Sequence, residues 1–278
     1  MLDDLVAYLT CPHCGDVLAR DGGALHCSAG HSFDIARHGY VNLLSGGASA
    51  STADTAAMVR ARAAFLATGA FDPLADGIVN AVKAAAPQSG GCIVDVGAGT
   101  GHYLARVLEA TPHSTGLALD LSKHAAGLAA RAHPRVGAAV CDTWGALPVR
   151  TGATAVVIDV FAPRNVAEFR RVLAPDGALV VVTPTPRHLQ ELVGPLGLLV
   201  VDPAKDERLE VAMDGLFVTQ DLVLVEEAMQ LTRGQLHDLV AMGPSSRHAD
   251  GDRADRIEAL AETTTVTLSA RVATYRPV

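Results

Sequence analysis

The run Ile93-Val-Asp95-Val-Gly97-Ala-Gly99-Thr-Gly101 constrains this chain more than any other stretch. Its apolar residues read as a short strand over 92–96 that is buried on both faces and interrupted only by Asp95. A G-x-G-x-G turn follows at once, and then a run carrying Leu104, Val107 and Leu108 at helical spacing. Strand, glycine turn and helix in that order demand a parallel sheet covered by helices, because a parallel neighbour is reached only through a crossover. The chain beyond repeats the alternation. Strands are expected at 115–119, 136–141, 155–160 and 178–183, with helices over 121–131 and 166–173. Two late β-prone stretches, 216–225 and 263–275, read as an antiparallel closing pair around an insert near 231–260. The expected core is a seven-stranded, mostly parallel α/β sheet.

The glycine turn also specifies chemistry. Gly97, Gly99 and Gly101 let backbone approach a ligand closely. Asp120, about 20 residues on at the end of the second strand, is placed to accept from both hydroxyls of a ribose. A dinucleotide site would carry G-x-G-x-x-G with a pyrophosphate on the helix N-terminus. Here the third glycine comes one place early, and Asp95 would repel a pyrophosphate but attract an ammonium or sulfonium. The unit is similar to the nucleotide site of class I (Rossmann-like) methyltransferases. That similarity implies S-adenosylmethionine as the cofactor, with Asp120-Leu121 at the ribose and Asp142 and Thr143 at the adenine.

The N-terminal region carries a second chemistry. Cys11-Pro-His-Cys14 is followed, after twelve residues, by Cys27-Ser-Ala-Gly-His31. Two chelating pairs of thiolate and imidazole fill a tetrahedral Zn²⁺ shell completely, which leaves no position for water and marks a structural site. His13 and His26 are alternatives to His31, ranked lower because His13 sits inside the knuckle and His26 adjoins Cys27. A module this small obtains its folding energy from the metal, not from burial. Cys92 and Cys141 fall in or at strands, as small buried hydrophobes. Residues 1–45 are therefore read as a zinc-ribbon module, 46–90 as a linker with connecting helices, and 91–278 as the catalytic domain. The linker helix is expected to be capped by Asp54 or Thr52 and to end near Gly69.

Hydrophobic residues make up 49% and charged ones 19% of the chain, the balance of a folded protein and not of a disordered one. No apolar run reaches about 18 residues and no leader pattern opens the chain, so the expected place is the cytoplasm, without a membrane partner. The net charge of −8 requires any nucleic-acid surface to be local. Arg37, Arg60, Arg62, Arg164, Arg170, Arg171, Arg187 and Arg247 are the candidate arginines for such a surface.

The ligand set, the stretch from His31 through Phe33, His38 and Tyr40 to Leu44, and the run Thr183-Pro-Thr-Pro-Arg-His188-Leu-Gln-Glu-Leu192 together resemble one family over nearly the whole chain. It is the 23S rRNA (guanine-N1)-methyltransferase family. The resemblance implies methylation of guanine N1 in a domain II stem-loop of 23S rRNA beside the peptide exit tunnel. The Ala- and Arg-rich composition favours the branch that confers resistance to tylosin-type macrolides. The resemblance further implies an rRNA-reading zinc module, a homodimer, and Phe71, Tyr103, Leu104 and His188 bordering the cofactor. The segment Met242-Gly-Pro-Ser-Ser-Arg-His248 lacks the aromatic of the family's Thr-Pro-Phe-type segment.

Guanine N1 is protonated and paired in a duplex, so the base must be unpaired or extruded. Asp159 and Asp142 are candidates for taking the N1 proton, as is water. Phe161, after the fourth strand, either stacks on the displaced base or packs in the core. Two other readings stand beside this one: a small-molecule methyltransferase of antibiotic biosynthesis, and a non-catalytic zinc-dependent RNA-binding protein.

Overall fold

The structure is a computed structural model that describes residues 2–45, 52–202, 204–243 and 252–278. After a short helix, Leu2–Val6, comes a three-stranded antiparallel ribbon: β1 (Ala19–Asp21), β2 (Ala24–His26) and β3 (Ser32–Asp34). The main sheet is built from β4 (Tyr40–Asn42), β5 (Gly91–Val96), β6 (Ser114–Asp120), β7 (Val136–Val140), β8 (Thr154–Val160), β9 (Leu173–Pro184), β10 (Phe217–Thr232) and β11 (Thr263–Pro277). Its order is β10-β11-β9-β8-β5-β6-β7-β4, parallel from β9 to β4, with β11 antiparallel to both β9 and β10.

The sheet has eight strands, not seven. The extra one, β4, comes from the N-terminal region and pairs in parallel with β7, Tyr40 opposite Ala138. The edge of β7 would otherwise present unpaired backbone groups, and three residues of the preceding segment cover it.

Alternation along the strands divides the core. Ile93, Val156 and Ile158 join one layer with Leu104, Val107 and Leu108 of the helix His102–Ala110. Val94, Val96 and Val157 face the other layer, where Phe169 meets Leu5, Leu9, Leu25, Phe33 and Val41 from the ribbon region. The short helix Leu2–Val6 and the ribbon together thus cover part of that sheet face. Backbone bonds fix them there: Thr10 N–H donates to Pro148 O at 3.0 Å and Arg150 N–H to Tyr8 O at 2.9 Å.

Thr55 is the N-cap of the helix Ala56–Ala67, its hydroxyl accepting from Met58 N–H at 3.3 Å, so neither Asp54 nor Thr52 caps it. Gly69, with φ +78°, follows the end of that helix as expected. Strand order reverses at β5, which lies between β6 and β8. In such sheets the crevice opens beyond the carboxyl ends of the strands at that point.

Candidate donor pocket and metal centre

A cavity of about 720 Å³ occupies that crevice. Its floor is the turn after β5, where Gly97, Gly99 and Gly101 adopt φ of +76°, +55° and +76°. Side chains are excluded at two of these positions. A Cβ on Gly97 would lie 2.5 Å from Ala162 Cβ, and one on Gly101 would lie 2.9 Å from Ala129 Cα. The turn is tied to β6: Gly97 and Ala98 donate to Leu119 O, and Gly99 N–H donates to Asp120 Oδ2 at 2.8 Å. Ser122 N–H donates to the other oxygen of Asp120 at 2.7 Å. Burial raises the Asp120 pKa, and the two N–H donors oppose the rise.

Asp95 lies 2% exposed under the turn, and its Oδ2 has no partner among the described residues. Burial, and then the nearby charge of Asp120, push its pKa up to about 7. A buried carboxylate oxygen left without a donor is costly unless a ligand supplies one. The cradle therefore fits a nucleoside bearing a cationic group, as S-adenosylmethionine does.

The opposite wall is aromatic. Phe65 meets Phe71 edge-on at 5.0 Å, Phe71 lies 5.9 Å from the His188 ring, and His188 lies 5.5 Å from Phe161. Phe161 is 38% exposed with φ +54°, a conformation that L residues rarely hold and that turns its ring towards the cavity. Burial drops the His188 pKa to about 4, so the ring is neutral at pH 7. Ser269 N–H approaches Nδ1 at 3.3 Å, and since a backbone amide only donates, the ring proton belongs on Nε2.

The other expected residues divide. Asp95, Gly97, Gly99, Tyr103, Asp120, Leu121, Phe71, Phe161 and His188 line the cavity. Gly101 lies at the far end of the turn, against Ala129. Leu104 is fully buried on the sheet-facing side of its helix, so Tyr103 meets the cavity and Leu104 does not. Asp142 and Thr143 do not line it either: Asp142 Oδ1 accepts from Trp144 N–H at 3.0 Å, and Thr143 is buried. Trp144 itself lines the cavity, 67% exposed. Asp159 is fully buried behind the wall, with Arg164 Nε 3.7 Å from its Oδ1. Burial pushes its pKa well above the usual carboxylate range, and Arg164 opposes the shift.

Sequence reasoning missed Trp144 and the inward placement of Arg62 and Arg164. A lone tryptophan after a strand, or an arginine within a helix, belongs to no motif that spacing could reveal. Among the other arginines, Arg37 and Arg60 are exposed. Arg171 is bound to Glu168 and to Leu147 O, Arg187 to Glu226, and Arg170 to Val278 O. Arg247 and the segment 244–248 lie outside the described residues.

At the ribbon, one ligand atom each of Cys11, Cys14, Cys27 and His31 falls within 4.8 Å of all the others. Cys14 and Cys27 sulfurs are 3.6 Å apart, and His31 Nδ1 is 3.3 Å from the Cys27 sulfur. A tetrahedral zinc with Zn–S bonds of about 2.3 Å separates its ligands by roughly 3.8 Å. The Cys₃His set fits that ion. His13 stands outside the cluster, its ring stacked 5.8 Å from Phe33, and His26 lies in β2.

Residues 9–46 match the zinc-ribbon family described as RlmA, N-terminal. The chain is 51% identical, over 296 aligned residues covering 100% of both proteins, to a candidate 23S rRNA (guanine-N(1)-)-methyltransferase of Micromonospora griseorubida. It is 47% identical over 279 residues, covering 100% of this chain and 99% of the relative, to the 23S rRNA (guanine(748)-N(1))-methyltransferase of Streptomyces fradiae. Among solved structures, a candidate methyltransferase of Bacillus halodurans C-125 aligns with a TM-score of 0.50 and 14% identity, over 72% of this chain and 97% of that one. At that identity the likeness extends to the fold alone.

Proposed function

Because the chain belongs to the 23S rRNA (guanine-N1)-methyltransferase family, we propose that it methylates N1 of a guanine in a domain II stem-loop of 23S rRNA, at the position its Streptomyces fradiae relative is named for. Full-length identity to that relative is the observation that carries the reading. S-adenosylmethionine supplies a methyl group activated on a sulfonium. Asp95, Gly97, Gly99, Tyr103, Asp120, Leu121 and Phe71 hold it, with Asp120 at the ribose.

The guanine enters beside Phe161, whose ring and that of His188 form one wall of the opening. Stacking there would hold an extruded base against the donor, and alignment is the larger part of catalysis for a transfer that destroys charge. His188, neutral and protonated on Nε2, offers a hydrogen-bond donor without adding a charge that would oppose the sulfonium. Asp159 lies behind the wall and Asp142 is turned to Trp144, so the N1 proton leaves to water at the open mouth.

The zinc module reads the rRNA, and Arg37 and Arg60 are exposed cations available to phosphates. We assign the protein to the cytoplasm and to a homodimer. The second assignment is supported by Val218, Leu222 and Leu224, each more than half exposed along β10 at the edge of the sheet. Resistance to tylosin-type macrolides is the expected phenotype. Expression in a sensitive host, with the modified nucleotide mapped by primer extension, tests this reading. A stop at the equivalent guanine together with growth on tylosin is the expected result.

A further inference from the structure

The glycine turn separates two opposite charges inside the cavity. Asp95 lies beneath it, with Oδ2 unpartnered among the described residues. Arg62 reaches in from the helix Ala56–Ala67, with Nη1 3.2 Å from where a Cβ on Gly99 would stand. Both line the cavity, and Tyr103 sits within the field of each.

Arg62 is held in place by one neighbour close in sequence and one far along the chain. Nη1 pairs with Asp54 Oδ2 at 2.6 Å, and Nη2 donates to Met242 O at 2.8 Å. Asp54 is anchored in turn, because Ser122 Oγ donates to its carbonyl oxygen at 2.6 Å. These contacts orient a guanidinium that has five N–H donors, of which Nη1 and Nη2 each supply one to these two partners among the described residues. A guanidinium fixed this way is pre-organised for a carboxylate. The ribose, by contrast, needs neither charge, since Asp120 serves it.

We propose that Arg62 anchors the α-carboxylate of the donor's methionyl group while Asp95 takes its α-ammonium, so that the two residues form a clamp for an amino-acid zwitterion. Arg62 is then a binding residue set by the helix before the sheet, outside every glycine-turn motif. The assignment rests on the cavity being the donor site.

Calorimetric titration of the full chain with three ligands tests it: S-adenosylhomocysteine, its decarboxylated analogue, and 5′-methylthioadenosine, which lacks the whole amino-acid end. In the unaltered protein, removing the carboxylate from the ligand is expected to weaken binding about 10- to 100-fold. Arg62→Ala should weaken S-adenosylhomocysteine by a similar factor, leave 5′-methylthioadenosine within about twofold, and abolish the difference between the first two ligands. Arg62→Lys should recover part of the loss.

Equal loss for all three ligands in Arg62→Ala would overturn the clamp and leave a structural latch. So would indifference of the unaltered protein to the ligand carboxylate, a measurement that needs no folded variant. If none of the three ligands binds the unaltered protein, the donor-site reading itself fails along with the clamp.

Discussion

Asp95 is almost wholly buried beside a second acid, and its pKa of about 7 gives the reaction a pH dependence. The free protein holds Asp95 half-protonated near neutrality, whereas a bound ammonium requires the carboxylate and lowers its pKa. Donor affinity should therefore be constant above about pH 8 and fall below pH 7 by up to about tenfold per unit. Titration calorimetry with S-adenosylhomocysteine from pH 5.5 to 8.5 reads this slope, and Asp95→Asn should flatten it at a weak affinity. Asp120 acts differently, because its oxygens bind Gly99 N–H and Ser122 N–H. Asp120→Ala removes the ribose acceptor and unties the turn, so donor binding should become undetectable in the same assay while the zinc content stays at one ion per chain. These acids were legible because Asp95 is the last residue but one of β5 and Asp120 the last of β6, both at fixed places relative to the glycines. Arg62 and Trp144 were not, since what brings them to the cavity is tertiary packing around the crevice.

At the scale of elements, the strands over 92–96 and 155–160 stand within a residue of their expected limits, because long apolar runs between turns carry a strong signal. β4 was missed as a strand of the main sheet. Its three residues pair with β7, almost a hundred positions later, and nothing in Tyr-Val-Asn names that partner. The glycine turn is more demanding than its pattern alone conveys. Gly101→Ala places a methyl against the backbone of Ala129 at a left-handed φ, a strain of about 1–3 kcal/mol, so thermal unfolding should occur several degrees lower and donor affinity should drop. The metal module makes a separable prediction. None of its four ligands lines the cavity. Cys14→Ser should lose the zinc and the methylation of rRNA, yet retain S-adenosylhomocysteine binding within a few-fold; loss of both functions together would mean that the ribbon's packing on the sheet supports the cavity as well.

For the whole molecule, the ribbon and the sheet share one core layer, so metal binding stabilises a face of the catalytic domain and not an appended finger. The exposed apolar side chains along β10 lie at the far edge from β4, where a second copy could extend the sheet. Leu222→Lys combined with Leu224→Lys should convert a dimer to a monomer in light scattering without changing donor affinity, and a monomeric unaltered protein would remove the dimer from the account. Guanine-N1 methyl transfer is read by mass spectrometry of nucleosides from 23S rRNA incubated with the purified protein and S-adenosylmethionine. One 1-methylguanosine per rRNA is expected, absent with Asp120→Ala; zinc-loaded, donor-binding protein that leaves every guanine unmodified would rule the transfer out.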